Sequence, residues 1–260
     1  MSAWDPARYL QFSDLRTRPA AELLARVPVE DPTRVVDLGC GPGNSTALLA
    51  ERWPTAEIAG IDGSDEMIRR ARADNPALHF RVADITEWQP DEPVDVLFAN
   101  AALHWIPNHV DLLPRLLGHV APGGALALQV PNNFDRPAHT EAHRIVRESF
   151  PDLDGILPDR PVYEAQAHYD ALAAEGVVVD VWQTEYLQPL TGPDPIVAWT
   201  SGTFLRPLLT ALADAPDRKA AFLAEYSAAM RHAHPPRPEG VTLLPFPRLF
   251  AIAKKGDGGD

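Results

Sequence analysis

The sequence predicts an α/β fold in which short, mostly parallel strands alternate with helices. Three observations indicate this class. Short apolar runs alternate with helical segments over the first half of the chain, a glycine-rich turn follows the first run, and long helical inserts precede the last two runs. The 260 residues are 45% apolar and 23% charged, which is ordinary for a globular protein of one large or two small domains.

Charge and cysteine content argue against several functions. The formal net charge is −13, and the acidic excess is spread over both halves of the chain. Because proteins that bind nucleic acid or anionic membranes need a basic surface, neither partner is expected. The sequence lacks a long apolar run and a signal peptide, so a cytoplasmic protein is expected. Cys40 is the only cysteine, and no disulfide or metal site is predicted.

The first 131 residues are predicted to form a lid followed by the α/β core. Residues 1–30 are expected to be an N-terminal helical lid, in which Pro19 stands in a first helical turn, where proline is tolerated. Residues 31–131 are expected to be the core that binds a ligand. The expected strands of this core are 34–38, 57–61, 79–82, 94–98 and 125–130, and the expected helices are 45–53, 65–73 and 110–120.

Two long inserts interrupt the rest of the core. The insert 132–176 precedes a core strand at 177–187, and the insert 188–245 precedes the last core strand at 246–255. Helical patterns within the inserts are expected at 138–150, 163–174, 196–212 and 218–230. We interpret the inserts as a helical cap over the carboxyl ends of the strands, the alternative being that they enlarge the core. The polar residues 256–260 are expected to be a disordered tail.

The clearest local signal is the segment VVDLGCGPGN, in which an apolar strand leads into Gly39, Gly41 and Gly43. Glycine in such a turn adopts positive φ and lets a ligand approach the backbone closely. The dinucleotide-binding pattern G-x-G-x-x-G would need a glycine at position 44, where Asn44 stands. An NAD-linked oxidoreductase is therefore disfavoured, and the phosphate-loop pattern is also absent from the sequence.

Polar side chains follow the next three strands. Asp62 ends the second strand, Asp84 follows the third, and Asn100 follows the fourth. An acid after the second strand can accept hydrogen bonds from both hydroxyls of an adenosine ribose. Asp84 is placed to accept from an adenine amino group while Ile85 packs on the ring. Each acid alone is more often a helix cap than a ligand, but the ordered set favours an adenosine-containing cofactor.

With these features the sequence resembles the class I S-adenosylmethionine-dependent methyltransferases. The resemblance implies a Rossmann-like sheet of seven strands whose last strand is antiparallel. It also implies S-adenosyl-L-methionine as cofactor, with S-adenosyl-L-homocysteine as product. In this family the glycine loop passes under the methionine and ribose, and the acids after the second and third strands bind ribose and adenine. The cofactor-binding residues implied are Asp37, Gly39, Gly41, Gly43, Asp62, Gly63, Met67, Asp84, Ile85 and Asn100.

Elements along the whole chain resemble, within this class, the trans-aconitate methyltransferases. They are the N-terminal segment from Trp4 to Pro19, the run DLGCGPGNSTALL, the segment Phe98–Trp105, the tripeptide Leu205-Arg206-Pro207 and the pentapeptide FPRLF that begins at Phe246. His104 and the tail after Lys255 depart from the pattern. The resemblance implies methyl transfer to one carboxylate of trans-aconitate, which gives a monomethyl ester.

This reaction needs alignment more than acid–base chemistry. A carboxylate with a pKa of about 4 is already ionised at neutral pH, so no catalytic acid or base is expected. A tricarboxylate needs cations, and arginine binds carboxylates bidentately. The predicted acceptor-binding residues are Tyr9, Arg18, His104, Trp105, Arg206 and Arg248. Arg18 could instead hold the cofactor's carboxylate, and surface ion pairs or ordinary packing are the alternative for every member of the set.

Other functions remain open from the sequence. The acceptor could be another small carboxylic acid or small molecule, and a carbon acceptor would require a base. A non-catalytic protein that binds S-adenosylmethionine or S-adenosylhomocysteine would need the same loop and acids. A small tricarboxylate is the expected partner, and a monomer is assumed because the sequence does not determine an oligomeric state.

Overall fold

The computed structural model describes residues 17–257. Tyr9 and the other residues of the predicted lid before Thr17 lie outside the described residues, as do residues 258–260. The strands are β1 (Arg34–Leu38), β2 (Glu57–Asp62), β3 (His79–Val82), β4 (Val94–Asn100), β5 (Val120–Pro131), β6 (Val177–Thr191) and β7 (Val241–Lys255). Among the described residues these seven strands form one sheet in the order β3-β2-β1-β4-β5-β7-β6. β1 to β5 pair in parallel, whereas β7 is antiparallel to β5, so the predicted sheet is confirmed.

Helices connect the strands and fill the two inserts. They are α1 (Arg18–Arg26), α2 (Asn44–Arg52), α3 (Asp65–Asp74), α4 (Leu113–Gly118), α5 (Pro137–Ser149), α6 (Ala165–Leu172), α7 (Pro195–Ser201), α8 (Arg206–Ala211) and α9 (Pro216–Ala233). Short 3-10 turns lie at Leu103–Trp105, His109–Leu112 and Pro151–Leu153. The helix expected over 110–120 is therefore a 3-10 turn followed by the shorter α4.

The single helix predicted over 196–212 is wrong, because α7 and α8 are separate. The Thr200 hydroxyl donates to the Ile196 carbonyl at 2.8 Å, and Gly202 follows the end of α7. Hydroxyls that bond back to their own helix and a glycine both weaken a helix. Local polar competition therefore ends α7 where the apolar pattern alone predicts continuation.

The chain divides into two compact units. In the described residues the first unit runs to Pro131 and adds Tyr163–Thr184 and the segment from Arg248, while the second comprises Asn132–Val162 and Glu185–Pro247. The predicted insert 132–176 thus extends too far, because α6 groups with the first unit, where Leu172 joins the hydrophobic core. The second unit has its own core, in which the Tyr226 ring stacks on Phe222. That the second unit caps the strand ends stays a prediction.

The two faces of the sheet in the first unit differ in character. One face presents apolar side chains such as Leu38, Leu97, Leu128 and Leu249, which form a core cluster with residues of α4 and α6. Residues paired across strands share a face, and successive residues alternate between faces. The pairings Asp37↔Phe98, Asn100↔Gln129 and Pro131↔Arg248 therefore place four polar residues on the opposite face. These residues are Asp37, Asn100, Gln129 and Arg248.

The beginning of the predicted disordered tail is ordered. The Gly256 N–H donates to the Gly176 carbonyl at 2.7 Å, and the Gly256 carbonyl accepts from the Gly123 N–H at 2.9 Å. The expectation of disorder over 256–260 is therefore wrong for Gly256, because a backbone pairing partner compensates for the lack of apolar side chains. Between residues 17 and 257, no helix combines the length and apolar character needed to cross a bilayer.

Candidate functional site

The glycine loop joins β1 to α2 at the carboxyl edge of the sheet. Gly39, Gly41 and Gly43 have φ angles of +69°, +52° and +91°, as their spacing predicts. A Cβ on Gly39 would lie 2.3 Å from the Cβ of Ala102, so only glycine lets the loop pack against the segment after β4. A Cβ on Gly41 would meet no atom of the described residues within 4 Å. The loop thus offers its backbone to open space at Gly41, where a ligand can approach it.

Asp62 connects the glycine loop to the turn after β2. Its Oδ2 accepts from the Gly41 N–H at 2.9 Å, and its Oδ1 accepts from the Ser64 N–H at 2.8 Å. The Gly39 N–H donates to the neighbouring Ile61 carbonyl at 2.8 Å. Each carboxylate oxygen has two lone-pair sites, so the half-buried Asp62 retains the capacity to accept from ligand hydroxyls. The predicted ribose-binding role suits this geometry.

Asp37 braces the loop from inside the core. It is fully buried, and its Oδ2 accepts from the hydroxyls of Ser45 and Thr46, both at 2.7 Å. Burial raises the pKa of this carboxyl to about 6, although the hydrogen bonds from Thr46 and Ser45 lower it. Asp37 therefore ties the end of β1 to the first turn of α2. The predicted direct contact of Asp37 with a cofactor stays a prediction.

Asp84 and Ile85 lie in a turn that follows β3. The Asp84 Oδ1 accepts from the Thr86 hydroxyl at 2.7 Å and from its N–H at 2.8 Å, and these bonds hold the pKa of the carboxyl below its usual range. Ile85 is buried. Arg115 of α4 donates to the carbonyls of Ile85 and Trp88 at 2.7 and 2.8 Å, and so holds this turn. Sequence reasoning missed Arg115, since no local pattern distinguishes it from a surface arginine.

Gly63 and Met67 lie at the surface beside Asp62. Gly63 is exposed, and Met67, in the first turn of α3, is 37% exposed. The backbone of Met67 donates to the Ser64 hydroxyl at 3.3 Å, which caps α3. Val82, the register partner of Asp62 on β3, is also exposed. Apolar surface thus adjoins an acceptor carboxylate, an arrangement suited to a nucleoside.

The end of β4 and the segment after it carry three predicted site residues. The Asn100 side chain is half-buried, and its Oδ1 has no hydrogen-bond partner among residues 17–257. Ala101 has a φ of +51°, which disfavours a residue with a Cβ by about 1–2 kcal/mol. The rings of His104 and Trp105 lie 4.6 Å apart, and Trp105 is 49% exposed. The strained turn therefore ends β4 with a polar side chain at the edge and aromatic rings just beyond it.

Arg248 and Gln129 form a buried polar pair at the same edge. The Arg248 Nη1 donates to the Gln129 Oε1 at 3.1 Å. Arg248 is 5% exposed and Gln129 is fully buried, with no hydrogen-bond partner for its Nε2 in the described part of the chain. Arg248 is a predicted site residue, whereas Gln129 was missed. The one sequence signal for Gln129 is that it interrupts the apolar run of β5.

The remaining predicted acceptor-binding residues are Arg18, Arg206 and Tyr9. Arg18 begins α1, and its Nε donates to Glu22 at 2.8 Å in an exposed ion pair of the kind that contributes little. Arg206 begins α8 in the second unit and is exposed. Tyr9 lies outside the described residues. The first unit therefore places the glycine loop, Asp62, Asp84, Asn100 and Arg248 along one edge of the sheet, while the roles of Arg206 and Tyr9 stay predictions. In the described ranges no group of three His, Cys, Asp or Glu could hold a metal ion.

Comparison with known proteins identifies the family. A methyltransferase domain family matches residues 35–124, the part of the chain that carries the glycine loop and the acids after β2 and β3. Trans-aconitate 2-methyltransferases from Azoarcus sp. (strain BH72) and Methylobacterium nodulans are each 49% identical to this chain, over 97% and 98% of it and 99% of each relative. The chain belongs to the trans-aconitate 2-methyltransferase family.

Structural comparison supports the fold. The YcgJ protein of Bacillus subtilis aligns with a TM-score of 0.59 at 15% identity, covering 92% of this chain and 98% of that chain. At this identity the likeness concerns the fold alone. The resemblance inferred from the glycine loop and from the Leu-Arg-Pro and FPRLF elements is confirmed at the level of the family, as are methyltransferase identity and S-adenosylmethionine as the methyl donor.

Proposed function

We propose that this protein transfers a methyl group from S-adenosyl-L-methionine to one carboxylate of trans-aconitate, giving a monomethyl ester and S-adenosyl-L-homocysteine. One observation supports this acceptor above others. Relatives named for trans-aconitate align with 97% of the chain, so the similarity includes both inserts and is not confined to the methyltransferase domain. Similarity over 35–124 alone would support a methyltransferase of any kind.

The residues at the carboxyl edge fit the cofactor. The loop has open space at Gly41, and Asp62 is held by two backbone N–H groups while retaining acceptor capacity. Asp62 would bind the ribose, and Asp84 and Ile85 would meet the adenine. Gly63, Met67 and Asn100 complete the proposed cofactor set, and Asp37 supports the loop from the core.

The protein's part in the reaction is orientation. When bound, S-adenosylmethionine supplies an electrophilic methyl group, so that a C–O bond forms as the C–S bond breaks and the electron pair stays on sulfur. The acceptor carboxylate is ionised at neutral pH and needs no base. Arg248, fixed by Gln129, would hold the acid so that one carboxylate oxygen lies in line with the methyl group. Such alignment can lower the barrier by about 7–11 kcal/mol.

The other predicted acceptor residues belong to the same proposal. They are Tyr9, Arg18, His104, Trp105 and Arg206. The proposed partner is a small tricarboxylate rather than nucleic acid or a membrane, and the net charge of −13 supports this preference. A cytoplasmic monomer completes the proposal.

The test is an incubation of the protein with methyl-labelled S-adenosylmethionine and a pool of small di- and tricarboxylic acids, read by mass spectrometry. The expected product is a labelled monomethyl ester of trans-aconitate that is lost on treatment with base. A label on another acid would identify that acid as the acceptor in place of trans-aconitate. Tight cofactor binding without any labelled acid would instead favour a protein that only binds S-adenosylmethionine or S-adenosylhomocysteine.

A further inference from the structure

We propose that Gln129 binds the acceptor, its amide Nε2 donating a hydrogen bond to a carboxylate of the acid while Arg248 holds the amide in the required orientation. This inference rests on the proposed function and assigns a specificity role to a residue of β5. Three properties of Gln129 carry it: a fixed amide orientation, a buried and unpaired donor, and a position at the carboxyl edge.

The orientation of the amide follows from the chemistry of its neighbour. A guanidinium has only donors, so the Gln129 atom that faces Arg248 at 3.1 Å must be the carbonyl oxygen Oε1. The oxygen and nitrogen of an amide are usually hard to distinguish, but here the contact decides between them. The Nε2 group is consequently a donor that is turned away from Arg248.

Among the described residues the Gln129 Nε2 lacks an acceptor, which a bound ligand would supply. Gln129 is fully buried, and its Nε2 has no hydrogen-bond partner within residues 17–257. Burying an unpaired donor disfavours folding, and a methionine or leucine in the same apolar strand would avoid this cost. A carboxylate oxygen is a strong acceptor for such a group, and its hydrogen bonds are stronger than those of a neutral acceptor.

The position of Gln129 matches that of a second reactant. Its register partner on β4 is Asn100, and β4 also pairs with β1, whose end begins the glycine loop. Neighbouring strands lie about 4.8 Å apart, so Gln129 is about 10 Å from β1 along the edge. The donor therefore stands beside the proposed cofactor loop, on the same face as Asp37, Asn100 and Arg248.

A glutamine also suits the charge of the acceptor. It accepts from Arg248 as a neutral group, whereas a glutamate would add a negative charge. The pair therefore presents an amide donor to the acceptor without adding a negative charge of its own. This combination favours an anionic ligand.

The first experiment replaces Gln129 with methionine, which has a similar volume and no donor. Calorimetry measures the Kd of S-adenosylhomocysteine and then the Kd of trans-aconitate for the enzyme–S-adenosylhomocysteine complex. Gln129→Met should raise the Kd of the acid about tenfold or more and leave that of S-adenosylhomocysteine within about twofold. The control is Leu128→Met, a volume-conserving change on the opposite face of β5, which should alter neither Kd by more than about twofold.

A set of dicarboxylates locates the carboxylate that Gln129 contacts. Itaconate, cis-glutaconate and mesaconate each lack a different carboxylate of trans-aconitate and keep the geometry of the other two, and their inhibition constants are measured with the native and Gln129→Met proteins. The penalty of the substitution should disappear for one of the three acids and persist for the other two. A penalty that persists for all three overturns the proposed contact.

If Gln129→Met is unstable, Gln129→Glu provides a second test of the contact, because glutamate can still accept from Arg248. It removes the donor and adds a negative charge, so the acid should bind more weakly than to Gln129→Met while S-adenosylhomocysteine binds normally. Native affinity for the acid in either folded variant, or equal losses for acid and cofactor, overturns the inference. A native protein that methylates no trans-aconitate refutes the proposed function itself, before any variant is compared.

Discussion

The two halves of the sheet's carboxyl edge differ in how their polar side chains are hydrogen-bonded. In the half formed by the ends of β1, β2 and β3, each acid is already engaged by the protein's own donors. The Asp37 Oδ2 accepts from two hydroxyls, although its Oδ1 has no partner among the described residues. Asp62 accepts from two backbone N–H groups, and Asp84 accepts from the N–H and hydroxyl of one residue. In the half formed by β4, β5 and β7, the Asn100 Oδ1 and the Gln129 Nε2 are buried without a partner among the described residues.

This difference separates a preformed site from one whose hydrogen bonds await a ligand. Carboxylates held by backbone donors keep their positions whether or not a ligand is bound, so the half at β1 to β3 is ready for a cofactor. Buried amide groups without partners destabilise the fold by about 1–3 kcal/mol each until something satisfies them. We infer that the second half exchanges stability for recognition of its ligands, the cofactor at Asn100 and the acceptor at Gln129.

The largest effect expected is on the first half, at Gly39. Gly39→Ala combines a φ of +69° with a Cβ 2.3 Å from that of Ala102, and should lower the free energy of unfolding by about 3–5 kcal/mol. Denaturant unfolding measures the loss. The double variant Gly39→Ala/Ala102→Gly removes the collision and should recover all but about 1–2 kcal/mol.

Gly41→Ala is the matched control, because its Cβ would enter open space. It should lower stability by only about 1–2 kcal/mol while raising the Kd of S-adenosylhomocysteine about tenfold or more, if the cofactor passes over this backbone. Equal losses of stability in Gly39→Ala and Gly41→Ala would contradict the packing argument. Unchanged cofactor affinity in Gly41→Ala would move the cofactor away from the loop.

The next effect concerns the pH dependence of stability at Asp37. Burial raises the pKa of this carboxyl from 3.8 to about 6, so between these values the folded protein holds a proton that the unfolded chain releases. The contribution of Asp37 to stability is therefore greatest below about pH 4 and falls as the pH rises through about 6. Relative to native protein, Asp37→Asn should gain about 3 kcal/mol between these limits, measured by denaturant unfolding.

Asp84 offers a control of opposite sign. Hydrogen bonds from Thr86 lower the pKa of its exposed carboxyl, so its contribution to stability is present at neutral pH and is lost as the pH falls through the lowered pKa. Asp84→Asn should accordingly lose stability relative to native protein as the pH rises. A flat difference for Asp37→Asn across the same range would show that its carboxyl titrates normally.

The same division explains what the sequence could predict. The first half rests on residues close together in sequence, since the glycines are spaced within VVDLGCGPGN and each acid directly follows an apolar strand. The second half depends on a contact between Gln129 and Arg248, which are 119 positions apart and meet only through the antiparallel pairing of β5 with β7. No local pattern specifies that register. Arg115 was not predicted for the same reason, because its side chain contacts a turn 27 to 30 positions earlier in the sequence.

A smaller effect tests whether Asp62 serves the cofactor. Asp62→Asn replaces one carboxylate oxygen with a donor, which would oppose either the Gly41 or the Ser64 N–H and weaken contacts with ligand hydroxyls. The Kd of S-adenosylhomocysteine should rise about 10- to 100-fold, while the Kd of trans-aconitate in the cofactor-saturated complex stays nearly constant. Native affinity for S-adenosylhomocysteine would remove Asp62 from the cofactor site. An equal loss for the acid would erase the distinction between the two halves.

The smallest expected effect is at Arg206, where the proposed acceptor set extends into the second unit. Arg206 is exposed at the start of α8, so Arg206→Met should leave the free energy of unfolding within about 0.5 kcal/mol of the native value. If Arg206 binds a carboxylate, the KM for trans-aconitate should rise about tenfold and the KM for S-adenosylmethionine should not change. Unchanged kinetics would make it an ordinary surface residue and confine recognition of the acid to other residues. Arg248→Met provides the contrast, because loss of a buried guanidinium that donates to Gln129 should reduce both stability and affinity for the acid.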